Sequence, residues 1–187
     1  MNKPFYTIGI GASAGGVSSL SEFFDHITPD INVAFVVVTH LLRDRRSVLD
    51  QILSKHSNYP VIRVEKDMRI IPGTVYVMVE NTVLEANQGW LRVKTRDKKI
   101  LNSAVDIFFN SLADDYKEKA IGVILSGGGM DGLEGSIWIN HMGGKVMVED
   151  PASAHEKGMP ISVITEDHPS EIMSPTNLAK RINELCS

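Results

Sequence analysis

Two short, unbroken apolar runs, Val33 to Val38 and Ala120 to Leu125, constrain this chain most, because each leads into a polar or glycine-rich segment and then into apolar residues at helical spacing. A strand with one wet face alternates, whereas a strand apolar at every position is buried on both faces. That is the signature of a parallel sheet covered by helices above and below. Phe5 to Ile10 opens the same pattern, leading through a glycine turn into Val17, Leu20, Phe23, Phe24 and Ile27 at helical spacing. After the second strand, Val48, Leu49, Ile52 and Leu53 are expected to form a buried helical stripe. Val61 to Val64 and Thr74 to Val79 read as strands, with Pro72-Gly73 as the turn between them. Thr82 to Ala86 and Trp90 to Thr95 flank Asn87-Gln88-Gly89, a three-residue connection suited to an antiparallel hairpin that decorates one edge. A helix from about Ser103 to Tyr116 is expected to bury Val105, Ile107, Phe108 and Leu112. Another, closed by Gly143-Gly144, is expected to bury Leu133, Ile137, Trp138 and Met142. Val146 to Val148 follows as a strand, and Ser174-Pro175 opens a last helix through Leu185. The fold class is therefore α/β: a doubly wound, mostly parallel sheet with helices on both faces, right-handed crossovers and a small antiparallel hairpin.

Composition narrows the function. The 187 residues fit one domain, and a net charge of -4, with basic residues scattered apart from short groups such as Arg43, Arg45 and Arg46, offers no field for nucleic acid. A lone cysteine, Cys186, forms no internal disulfide. The opening residues MNKPFYTIGIGAS lack an apolar targeting core, and no stretch approaches the ~18 apolar residues of a spanning helix, so a cytoplasmic address without membrane insertion is expected.

In doubly wound sheets, ligands bind beyond the carboxyl ends of the strands. Three strands end there in chemistry-bearing segments: the first at Gly11-Ala-Ser-Ala-Gly-Gly16, the second at Thr39-His40, and a later one at Gly127-Gly-Gly-Met-Asp131-Gly. Gly11-Ala12-Ser13-Ala14-Gly15 fits G-x-S-x-G, a tight turn that exposes a nucleophilic serine. The same stretch fits a dinucleotide fingerprint variant, Gly9-x-Gly11-x-x-Ala14. Such a binder wants an acidic residue at the end of the second strand, and Thr39-His40 stand there instead; Asp30 precedes the strand. His40 is either a histidine satisfied by a backbone carbonyl or the general base that a serine needs. His26, His56 and His141 fall in or beside helices and His155 and His168 in loops, and none has a partner at metal-ligand spacing. Asp131-Gly-Leu-Glu134 has the form of a capping box, so Asp131 is either a helix cap or the carboxylate that orients an imidazole, and one residue can do both.

Together these segments resemble the catalytic domain of chemotaxis protein-glutamate methylesterases. That family carries its nucleophile in a GAS-x-GG turn (here GASAGG), a histidine ending the second strand (here VVVTHL) and an acid in a G-x-G-x-D-G loop (here GGGMDG), in this order. The likeness extends to Val105-Asp-Ile-Phe-Phe-Asn-Ser-Leu112, Glu149-Asp-Pro-Ala-Ser-Ala154 and Gly158-Met-Pro160. The HLL segment and the VDIFFNSLADD helix look closer to methylesterase segments of large hybrid receptor-modifying proteins. The resemblance implies Ser13 as nucleophile, His40 as base and Asp131 as orienting acid, with backbone N–H groups at Ala14 and Gly128 for the oxyanion. It further implies demethylation of glutamates, and deamidation of specific glutamines, on a chemoreceptor cytoplasmic domain, without metal or organic cofactor. On that basis residues 1–187 are expected to form a single catalytic domain without a receiver domain. Departures touch substrate handling: Ala14 replaces a common threonine, Gly128 the middle residue of the loop and Ile161 an arginine. Two alternatives stay open, a non-catalytic signalling domain of the same fold and a nucleotide-binding module.

Overall fold

The computed structural model describes residues 3–42, 44–97, 99 and 103–187, so Arg43 of the basic group and the first two residues lie outside it. Seven strands form the main sheet: β1 (Tyr6–Ala12), β2 (Val33–Thr39), β3 (Val61–Val64), β5 (Thr74–Met78), β8 (Ala120–Ile124), β9 (Lys145–Glu149) and β10 (Glu171–Met173). Their spatial order is β10-β9-β8-β1-β2-β5-β3, and every pairing is parallel. The unbroken apolar runs are the central strands, and alternate residues feed two separate cores. Phe35 and Val37 join α1 (Gly16–Asp25), α2 (Leu49–Leu53) and α6 (Pro175–Cys186) on one face. Val36 and Val38 join α3 (Ala104–Tyr116), α4 (Leu133–His141) and α5 (Gly158–Glu166) on the other. Among the described residues no helix is long and apolar enough to cross a membrane.

The glycines of β1 belong to this packing. A Cβ on Gly9 would lie 3.0 Å from Leu112, Phe108 and Phe109, and one on Gly11 would lie 2.5 Å from Val105, because α3 crosses directly over the strand. Gly11 is thus inside β1 rather than in the turn after it.

Several expectations are corrected. The hairpin of β6 (Thr82–Asn87) and β7 (Trp90–Thr95) forms, but its loop is two residues, since Asn87 pairs with Trp90. Gln88 and Gly89 both have positive φ, 51° and 78°, the twist that two-residue hairpins favour. It does not border the main sheet. With β4 (Met68–Arg69), a strand too short to read from sequence, it makes a separate three-stranded sheet tied to α3 by Ala86 N–H to Ser111 Oγ (2.9 Å) and Gly89 N–H to Asp115 (2.8 Å). Pro72-Gly73 does lie between β3 and β5, with Gly73 at φ 73°, but the two strands run parallel and β4 also intervenes. Val17 and Val48 are 47% and 52% exposed, outside the stripes to which they were assigned. In α3, Phe109 is fully buried and Ile107 only partly. In α4, Ile137 and Trp138 face outward while Gly135, Ser136 and Ile139 face inward. The reason is close approach: a Cβ on Gly135 would run into Phe109 Cβ, so the inner face is made of small residues that an apolar pattern does not mark. Helix α5 was missed because Ile161-Ser-Val-Ile-Thr165 is rich in β-branched residues.

Candidate active site

Strand β1 is flanked by β2 on one side and β8 on the other, so the direction of winding reverses beside it. A crevice opens at the carboxyl ends of such strands. Register does the rest: Ala12 pairs with Thr39, so β1 and β2 finish level and the next residues, Ser13 and His40, are neighbours. Ser13 donates its N–H to Ser126 O, two residues beyond β8 (2.9 Å), and its carbonyl accepts Gly16 N–H (2.9 Å). The turn needs Gly15 twice over: φ is 74°, and a Cβ there would sit 2.6 Å from His155 Cβ and 2.8 Å from Ser126 Oγ.

Ser126, fully buried, joins three segments. Its hydroxyl donates to Ala14 O (2.9 Å) and accepts Glu156 N–H (2.9 Å), while its own N–H donates to Glu149 Oε2 (2.8 Å). Burial raises the Glu149 carboxyl above its usual range, against the hydrogen bonds it accepts from Ser19, Ser126 and Ser153.

Ser13 Oγ lies 3.0 Å from His40 Nδ1, and His40 Nε2 lies 2.6 Å from Asp131 Oδ2. A carboxylate only accepts, so Nε2 carries the proton and Nδ1 is left to accept the serine hydroxyl. The Asp131 side chain is 1% exposed and that of His40 15%. Asp131 also accepts Val105 N–H (3.0 Å) and Asp106 N–H (2.9 Å). The capping-box expectation is therefore overturned in one respect: Asp131 caps α3, not the helix that follows it. Gly132, at φ 102°, starts α4, and Asp106 Oδ1 accepts its N–H (2.9 Å) and that of Gly135 (2.8 Å). Burial and the adjacent Asp131 carboxylate push the Asp106 carboxyl up to about 6 despite these donors.

Ala14 is exposed, and around Gly128 a Cβ would meet nothing within 4 Å. Neither backbone N–H has an acceptor among the described residues. A cleft of about 350 Å³ beside His40 is lined by Leu41, Leu42, Arg45, Arg46, Ser47 and Val48. A second, of about 380 Å³, lies across the Ser13 turn against Gly15, Val17, Ser18, Ser19, Glu149 and His155. The dinucleotide fingerprint loses its footing, since Gly9 and Gly11 are spent on the contact with α3 and β2 ends without an acidic residue. Ser126 and Asp106 were not singled out from sequence as site residues. An aspartate in the first turn of a helix reads as an ordinary partner of the helix dipole, and only the meeting of two helix ends reveals more.

A hydroxyl, an imidazole and a buried carboxylate in one hydrogen-bonded line can pass a proton from hydroxyl to ring while the carboxylate balances the charge. Residues 8–182 match the family described as CheB methylesterase. A protein-glutamate methylesterase/protein-glutamine glutaminase 3 of Pseudomonas aeruginosa is 28% identical over 180 residues, covering 95% of this chain and 54% of that protein. A protein-glutamate methylesterase/protein-glutamine glutaminase of Trichodesmium erythraeum is 31% identical over 184 residues, covering 94% and 51%. The chain thus spans about half the length of these curated relatives. The crystal structure of the Thermotoga maritima CheB methylesterase catalytic domain matches at a TM-score of 0.88 and 28% identity, over 98% of this chain and 100% of that one.

Proposed function

The chain belongs to the CheB methylesterase family, and from that premise we propose that it hydrolyses methyl esters on glutamates of a chemoreceptor cytoplasmic domain, with Ser13 as nucleophile, His40 as base and Asp131 as orienting acid. The observation that carries this reading is the line from Ser13 Oγ to His40 Nδ1 at 3.0 Å and from His40 Nε2 to Asp131 at 2.6 Å. Ser13 Oγ attacks the ester carbonyl as Nδ1 takes its proton. Asp131 stabilises the imidazolium through Nε2–H. Nδ1 then returns the proton to the departing methoxide, releasing methanol and leaving an acyl-serine. Water, deprotonated by Nδ1, attacks that ester and frees the glutamate carboxylate and Ser13. The tetrahedral oxyanion is held by the N–H groups of Ala14 and Gly128, which is consistent with their having no acceptor among the described residues. With glutamine as substrate the same acyl intermediate forms and ammonia leaves. No step calls for a metal or organic cofactor. A receptor of this kind places the reaction in the cytoplasm.

The test is methanol release from membranes bearing methylated receptor, comparing wild type with Ser13→Ala. Release by wild type and none by the variant supports the reading, while equal release from both sinks it.

A further inference from the structure

Helices α3 and α4 pack together at their first turns: α3 begins on the Asp131 carboxylate from the loop that leads into α4, and α4 begins on the Asp106 carboxylate of α3. We propose that Asp106 is a positioning residue of the site, which locks the Asp131 loop and, through its own charge, sets how strongly Asp131 supports His40; the proposal rests on the reading of Ser13 and His40 above. The lock is reciprocal. Asp131 accepts the N–H groups of Val105 and Asp106 at 3.0 and 2.9 Å, while Asp106 accepts those of Gly132 and Gly135 at 2.9 and 2.8 Å. It is tight as well, because a Cβ on Gly135 would stand 3.3 Å from both the Cα and the carbonyl oxygen of Asp106. The Asp131 carboxylate has little freedom to leave His40 while this contact holds.

Capping alone needs only an acceptor, and a neutral serine or asparagine supplies one. A second carboxylate beside Asp131 brings something a cap does not require. Two backbone donors ordinarily make a carboxyl more acidic, yet burial and Asp131 keep Asp106 at about 6. Asp106 faces Asp131 from the loop after β8, the N–H groups of Gly132 and Gly135 at the start of α4, and, across Asp131, His40 from the end of β2. Among the described residues it makes no ion pair with a lysine or arginine. When protonated, Asp106 donates its O–H to Asp131 and competes with Nε2–H for the same charge. When ionised, it adds a second negative charge behind the imidazolium.

The test is the rate at which a fluorophosphonate labels Ser13, followed from about pH 5 to pH 9 in wild type, Asp106→Asn and Asp106→Ser. Both variants keep a neutral acceptor for the α4 N–H groups. In each, the acid limb of the profile is expected to move to lower pH by about half a unit, and labelling at neutral pH to slow by roughly threefold or more. An aspartate whose carboxyl is pushed up from 3.8 to about 6 costs the fold stability as pH rises through that window. Asp106→Asn is therefore expected to melt no lower than wild type at neutral pH. If asparagine does not fold at this position, the serine variant decides alone. Wild type that is labelled, with folded variants superimposable on it, leaves only a cap and overturns this inference by itself. Wild type that is not labelled overturns the nucleophile reading and this inference with it.

Discussion

Asp131→Asn is the most demanding perturbation of the site, because the structure gives the side chain three N–H groups to satisfy with two oxygens. Oδ2 takes His40 Nε2–H (2.6 Å) and Val105 N–H (3.0 Å), and Oδ1 takes Asp106 N–H (2.9 Å). Asparagine has one oxygen. Turned so that the oxygen serves Asp106, its amide nitrogen faces two donors; turned over, it serves His40 and Val105 while Asp106 N–H loses its acceptor. The second orientation is the cheaper, and one buried donor left unpaired costs ~1–3 kcal/mol. At ~2–4 °C per kcal/mol for a chain of this size, the variant melts a few degrees lower and stays folded under assay conditions. Turnover suffers far more, since the charge that balances the imidazolium is gone in either orientation. The same substitution in a serine protease costs ~10⁴ in rate, about 5.5 kcal/mol of barrier, with the geometry intact. We expect a folded protein with turnover down by that order, measured as methanol release alongside a circular dichroism melt. Turnover within about tenfold of wild type in a folded variant would refute the role given to Asp131 and leave it as the cap of α3.

Two adjacent glycines should separate packing from chemistry. A Cβ on Gly127 would collide with Met159 Sδ and lie 3.0 Å from Ser13 Cβ, so Gly127→Ala should cost ~1–3 kcal/mol and shift Ser13. Gly128→Ala meets nothing within 4 Å and should leave the melting temperature unchanged, within ~0.5 kcal/mol, so any loss of turnover there reports on the proposed oxyanion site. Equal melting temperatures for the two variants would contradict this packing argument. Away from the site, burial raises the Glu80 carboxyl, but the Arg63 guanidinium, 2.9 Å away, and Ser47 N–H outweigh it and bring it down from 4.5 to about 2. A depressed carboxyl contributes stability that is present above the unfolded value and lost as pH falls through the folded one. Wild type should therefore lose stability between pH 4.5 and about 2, and Glu80→Gln should flatten that loss. Parallel melting curves against pH for the two proteins would exclude the pair as the cause.

The sequence determined most of the alternation of strands and helices, the two-sided burial of the sheet and the edge on which Ser13, His40 and Asp131 emerge. Each follows from local information: Val33–Thr39 is buried at all seven positions because no polar residue interrupts its apolar run before Thr39, and every such strand is followed by glycine or a polar residue where the chain must turn. Ser174-Pro175 likewise marked a helix start, and Ser174 Oγ does accept Asn177 N–H there. What needed tertiary structure were choices between neighbours that the chain does not record. The inner face of α4 is Gly135, Ser136 and Ile139 rather than Ile137 and Trp138, because space left by small residues decides the packing. Gly9 and Gly11 look like ligand-binding glycines until α3 is laid across them. The largest difference concerns Asp131, which looks like the cap of its own helix yet caps α3, while Asp106 caps α4 in return. A pattern within one segment cannot encode an exchange between two helix ends distant in sequence; that exchange exists only once β1 and β8 lie side by side, with α3 laid across β1 and α4 leading away from β8.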